Sequence, residues 1–173
     1  MTPIDRLIAG FRGFRAVWYE QRPERIAPMA QGQSPKVMMV ACSDSRVDPA
    51  ILMNTEPGEL FMVRNVASLV PPYAPDDAYH GTSAALEFAV RDLQVEHIVV
   101  LGHAGCGGMK ALRGLAGAER EFIRPWVNIA ADALEGDVES HSGCQVERAG
   151  VRVSLRNLMS FPWVKERVAA GTL

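Results

Sequence analysis

Three short, uninterrupted apolar runs constrain this chain more than any other feature: VMMVAC at 37–42, LFMV at 60–63 and IVVL at 98–101. A wholly apolar run with polar flanks is how a strand covered on both faces of a parallel sheet looks. The second run is introduced by the turn Glu56-Pro57-Gly58-Glu59. Helical spacing fills the rest. A helix is predicted at about 82–94, with Thr82 and Ser83 as N-caps, and a short one at MKALRGL, 109–115. Others are predicted at about 125–135, at about 145–160, and from Pro162, a residue suited to a first helical turn. Strands alternating with helices predict an α/β fold, a parallel β-sheet core flanked by helices with right-handed crossovers.

Ahead of the first strand, Ile4, Leu7, Ile8, Phe11, Phe14, Val17 and Trp18 recur at helical spacing, with Asp5, Arg6, Arg12 and Arg15 between them. This predicts an amphipathic helix over 4–21, after which Pro23 and Pro28 are expected to enforce an extended crossing. No repeat, low-complexity tract or linker divides the sequence, so residues 1–173 read as a single domain. At 173 residues, 48% of them apolar, the chain can bury about 70% of its unfolded surface without a covalent staple. A formal charge of −2 argues against nucleic-acid binding. No apolar stretch approaches the roughly 20 residues of a membrane helix. The opening MTPIDRLIAGFRGF interleaves charge with apolar residues, unlike a secretory signal, and the expected location is cytoplasmic. Three cysteines, Cys42, Cys106 and Cys144, are too few and too odd for a disulfide framework.

In open parallel sheets chemistry gathers at the carboxyl ends of strands, near the switch in strand order. Two loops there carry unusual residues, CSDSRVD at 42–48 and GHAGCGG at 102–108. His103 and Cys106, three apart in a glycine-rich turn, let an imidazole and a thiolate converge on one tetrahedral ion. The turn opens a helix, whose N-terminus would favour the ionised Cys106 thiol. Taken alone, the pair reads equally as a turn with a packing thiol and a solvated imidazole. Cys42 ends the first strand, and parallel geometry can set that end beside the end of the third. Two sulfurs and one nitrogen then form a donor set of the softness zinc prefers, with a fourth position open. His141 and Cys144 are the other residues able to close such a site, but they belong on or beside a late helix. If the loop after Cys42 stays extended, Asp44 and Arg46 lie on the same side as Cys42, and a guanidinium fork would hold the carboxylate ionised. A nucleotide cradle fits poorly, because the loop lacks G-x-G-x-x-G spacing and no G-K-[ST] follows. There is also no C-x-x-C for redox chemistry.

The combination Cys42-Ser43-Asp44-Ser45-Arg46 with His103-Ala104-Gly105-Cys106-Gly107-Gly108 resembles the β-class carbonic anhydrases. The resemblance extends to PGELFMVRNVAS at 57–68, HGTSAALEFAV at 80–90 and SLRNLMSFPWV at 154–164. It implies one Zn2+ per chain on Cys42, His103 and Cys106, with Asp44 and Arg46 as the catalytic dyad. The implied reaction is reversible hydration of carbon dioxide to bicarbonate and a proton, zinc-bound hydroxide attacking CO2 and the dyad orienting it. Val66 would help wall the CO2 pocket, and activity would rise with pH. A homodimer or higher homo-oligomer is implied, residues 1–30 forming a helical dimerisation arm. Where family members carry a substrate-facing Gln this chain has Glu56. Where an inhibitory bicarbonate pocket needs Trp it has Met39, so that pocket is not expected although Arg64 is present. His80 is a candidate proton shuttle. Relative to the family the chain is expected to lack C-terminal edge strands. Hydrolysis of CS2 or a related heterocumulene on the same framework, and a non-catalytic zinc-binding scaffold, are the rival readings.

Overall fold

In the computed structural model the three apolar runs are three strands of one sheet: β1 (Val37–Cys42), β2 (Leu60–Asn65) and β3 (His97–Leu101). The model describes residues 1–114, 120–134 and 136–173. Both β2 and β3 pair parallel to β1, giving the order β2-β1-β3. Every β1 residue from Met38 to Cys42 is buried, as expected of a central strand. Each fully buried Val, Leu or Met side chain contributes about 1.5–3 kcal/mol. β2 runs two residues beyond its apolar stretch, through Arg64 and Asn65, because those residues stay in register with Ala41 and Cys42.

The chain divides into two compact units, Met1–Ser34 and Pro35–Leu173. In the first, α1 (Pro3–Arg15) starts at a capping box, in which Thr2 Oγ1 accepts from the Asp5 N–H and the Asp5 carboxylate accepts from the Thr2 N–H. The helical path continues as a π-type segment over Ala16–Gln21, so the helix predicted over 4–21 is present. The extended crossing predicted after it is not. Pro23 opens α2 (Pro23–Ile26), and Pro28 lies in the first turn of a 3-10 segment, Ala27–Gln31. Proline is tolerated at those positions because their N–H groups have no intrahelical partner.

In the second unit, α3 (Pro49–Leu52) follows the first loop and is capped by the Asp48 carboxylate, which accepts from the Ala50 and Ile51 N–H groups. α4 (Gly81–Glu87) and a π-type segment, Phe88–Asp92, link β2 to β3. Neither Thr82 nor Ser83 caps α4. The helix begins before them, at Gly81, and Thr82 Oγ1 accepts instead from Asn65 Nδ2. After β3 come α5 (Gly107–Leu112), then α6 (Ile123–Val127) with a 3-10 continuation over Asn128–Ala133. The predicted ends of those two helices, residues 115 and 135, lie outside the described residues. α7 (Gly143–Leu158) starts at a second capping box, Ser142 with Gln145, and α8 (Pro162–Ala169) starts with proline as predicted.

The core of this unit forms two clusters. Met38, Val40, Leu86, Val90, Phe161 and Val164 belong to one. The other gathers Leu69, Met109, Ala130, Val146 and Val153 around Cys42 and Cys106. Among the described residues no helix is long and apolar enough to cross a membrane.

Candidate metal centre

Strand order brings the two chemistry-bearing loops together. β1 is central and β3 lies beside it with Ala41 opposite Leu101, so the chain leaves both strands at the same edge, where the order switches. Cys42 closes β1. After β3 the chain turns sharply, with Gly105 at φ +69°, and Cys106 becomes the N-cap of α5. A second glycine is needed for close approach. A Cβ on Gly108 would lie 2.7 Å from Val66 Cγ1 and 2.8 Å from the Ala67 Cβ, so only glycine lets α5 press against the exit of β2.

The result is one group of His, Cys or acidic side chains, among the described residues, placed to share an ion: Cys42, His103 and Cys106, whose ligand atoms all lie within 4.8 Å of one another. The two sulfurs are 3.9 Å apart and both residues are buried. His103 Nδ1 lies 3.0 Å from the Ala104 carbonyl oxygen. A carbonyl only accepts, so Nδ1 carries the proton and Nε2 of the neutral ring is left with a lone pair. That Nε2 is buried and has no hydrogen-bond partner. An orphaned imidazole lone pair beside two sulfurs fits a thiophilic dication, and the ring's carbonyl partner is the usual orienting contact of a metal-ligating histidine. The donor set therefore suits zinc.

The thiols titrate as a pair. Cys42 is the more acidic, chiefly because Cys106 donates its S–H to it, with the backbone N–H groups of Asp44 and Ala67 adding to the effect against the cost of burial. Cys106 is pushed up by the same contact with Cys42 and by burial. From the sequence, the helix N-terminus is expected to favour the ionised thiol at Cys106. The neighbouring sulfur outweighs that helix end, since a second negative charge so close is costly. Cys42, Cys106 and His103 could hold a dication, whose charge would offset this penalty and favour both thiols in the ionised form.

Asp44 and Arg46 meet as predicted, by a different route. The loop is not extended here. It turns, and the Arg46 N–H donates to Asp44 Oδ1 at 3.0 Å. The Arg46 guanidinium then grips both carboxylate oxygens, Nε to Oδ1 at 2.9 Å and Nη2 to Oδ2 at 2.6 Å. These contacts hold the Asp44 carboxyl far below the usual range, the Arg46 side chain contributing most. Arg46 Nη2 also donates to the Gly105 carbonyl, 3.1 Å away, tying one loop to the other. Asp44 Oδ2 lies 3.9 Å from His103 Nε2, which puts the carboxylate at the rim of the Cys-His-Cys group.

Several contacts to these loops were not legible in the sequence. Arg64, at the end of β2, donates from Nε to the Cys42 carbonyl (2.9 Å), from Nη1 to Asp48 (2.7 Å) and from Nη2 to the Asp44 carbonyl (2.8 Å). Trp126 Nε1 donates to the Val66 carbonyl at 2.7 Å. Glu147 on α7 accepts from the N–H groups of Gly105 and Cys106. The PGELFMVRNVAS run places Arg64 near a strand end, but no local signal marks Glu147. His80 pairs with Asp76, Nε2 to Oδ1 at 2.6 Å. His141 holds the Asp137 carbonyl through Nδ1, and Cys144 is exposed. The group of metal-ligating geometry does not include His141 or Cys144.

Comparison with known proteins follows the same lines. A family model described as carbonic anhydrase matches residues 37–173. Beta carbonic anhydrase 3 of Arabidopsis thaliana is 40% identical over the whole of this chain and 71% of its own length. Beta carbonic anhydrase 5, chloroplastic, from the same plant is 40% identical over 98% of this chain and 59% of its own length. Among solved structures, the β-carbonic anhydrase CcaA superposes with a TM-score of 0.82 at 30% identity, covering 98% of this chain and 79% of that one.

Proposed function

The chain belongs to the β-class carbonic anhydrases, and on that premise we propose that it reversibly hydrates carbon dioxide to bicarbonate and a proton, using zinc on Cys42, His103 and Cys106 with Asp44 and Arg46 as the catalytic dyad. The observation that carries this reading is the unpartnered lone pair of His103 Nε2 beside the paired Cys42 and Cys106 sulfurs. Zinc bound there supplies Lewis acidity that brings the ionisation of water toward neutral pH, less strongly with two thiolate ligands than with three imidazoles. The remaining work falls to the chain. Arg46 keeps Asp44 ionised, so the carboxylate accepts a hydrogen bond rather than donating one. Asp44 Oδ2, facing the ligand group, accepts a hydrogen bond from the O–H of the nucleophile and so aims that oxygen's lone pair at the carbon of CO2. The proton of the overall reaction leaves to solvent when water ionises to form the nucleophile. The new C–O bond then forms as one C=O π pair moves onto oxygen, and the nucleophile's own hydrogen stays in the bicarbonate. Val66, against Gly108, provides an apolar wall on the substrate side.

Asp44→Asn tests the dyad. It keeps the shape and loses the charge, so zinc content should remain near one per chain while kcat for CO2 hydration falls about 100-fold or more. Unchanged kcat with zinc retained would remove Asp44 from the mechanism. We also propose a homo-oligomer, at least a dimer. It is supported by the exposed apolar side chains of α1, among them Ile4, Leu7 and Phe11, which no isolated helix gains by presenting to water. A cytoplasmic location fits three cysteines of which none forms a disulfide.

A further inference from the structure

Glu147 lies more than forty residues from the loop it touches, yet its Oε1 accepts from the Gly105 N–H at 2.6 Å and from the Cys106 N–H at 3.3 Å. Those two groups sit at the turn into α5, where backbone N–H groups have no intrahelical acceptor. The Gly105 peptide is engaged on its other side too, since its carbonyl accepts from Arg46 Nη2. One carboxylate oxygen thus braces the peptide units that carry the Cys106 sulfur and, one residue back, the carbonyl on which the Asp44–Arg46 pair is docked.

The brace is rigid because α7 is. Val146, Ala149 and Val153 are buried. Ser154 Oγ accepts from the Val70 N–H at 3.0 Å and donates to Gly150 O at 2.8 Å, and Asn157 Nδ2 donates to the Val70 carbonyl at 2.9 Å. The helix is therefore pinned to the segment leaving β2, and Glu147 carries that anchorage to the loop leaving β3. We propose that Glu147 is a positioning residue of the metal centre, fixing through Oε1 both the Cys106 ligand and the Gly105 carbonyl that seats Arg46. This inference rests on the proposed metal site and adds to it an element, α7, that supplies none of the three ligands. Removal of outer contacts of this kind typically costs about 10- to 100-fold in metal affinity.

Both hydrogen bonds land on one oxygen, so an amide can replace the carboxylate. The full-length chain is titrated with Co2+ against a chromophoric chelator, recording the thiolate-to-cobalt absorption and the melting temperature of the metal-free form. Glu147→Ala is expected to weaken Co2+ binding about 10- to 100-fold and to shift the charge-transfer band as Cys106 loses its fixed orientation. Glu147→Gln is expected to restore both. Arg148→Ala, an exposed neighbour on the same helix, should behave as the parent chain. The inference is overturned if Glu147→Ala binds Co2+ with parental affinity and an unchanged spectrum. It is equally overturned if Gln fails to restore binding, or if the loss is matched by an equal fall in the melting temperature of the metal-free form. Failure of the parent chain itself to bind one Co2+ would instead refute the metal-site reading.

Discussion

Arg46 binds Asp44 through Nε and Nη2 of its guanidinium and through its own backbone N–H, and that threefold contact fixes the charge at the rim of the site. Asp44 has its carboxyl held far below the usual range, so it remains a carboxylate throughout the pH range in which proteins are active. A depressed folded pKa stabilises the fold above the unfolded value of about 3.9, and the contribution is lost as pH falls through the folded value. Protonation of Asp44 itself therefore does not set a change of rate between pH 6.5 and 9. The predicted rise over that window belongs to formation of the nucleophile, and a flat profile would contradict the reading. Arg46→Ala lets the Asp44 pKa return toward the ordinary carboxylate range. Its kcat/KM should then fall more steeply between pH 7 and pH 5 than that of the parent chain, and superimposable profiles would show that Arg46 does not set the charge of Asp44.

At the scale of elements, the site depends on close contact between the exit of β2 and the start of α5. Gly108 permits it. In Gly108→Ala the new Cβ would meet Val66 Cγ1 and the Ala67 Cβ well inside contact distance, and overpacking of this kind costs about 1–3 kcal/mol. Chemical denaturation should register that loss, and a variant as stable as the parent would mean the two elements can move apart freely. The sequence conveyed much of this arrangement. The three strands were readable because a wholly apolar run has few other uses, and the Cys42, His103, Cys106, Asp44 and Arg46 set was readable because the residues fall in two short loops at strand ends. What was not readable depended on three-dimensional neighbours. Pro23 and Pro28 start helical turns, whereas the sequence alone suggested an extended passage, because proline fits both. Thr82 was misassigned as a cap since its partner, Asn65, comes from another strand end. Arg64 and Glu147 reach the loops from β2 and α7 across gaps in sequence that no periodicity records.

For the molecule as a whole, the exposed apolar residues of α1 bear on assembly. Replacing Leu7 and Phe11 together by Glu should shift the protein toward smaller species in size-exclusion chromatography with light scattering, and an unchanged mass would exclude this face from the interface. The core claim is catalytic, and it unites the sheet topology, the ligand group and the dyad in one reaction. The most direct measurement is stopped-flow CO2 hydration with zinc quantified on the same samples of the chain, prepared at graded zinc content and alongside Cys106→Ala. The account predicts a rate proportional to bound zinc up to one ion per chain, and neither stoichiometric zinc nor turnover in Cys106→Ala. One zinc per chain with no CO2 turnover would contradict it, leaving CS2 hydrolysis if that substrate is consumed and a zinc-binding scaffold if it is not.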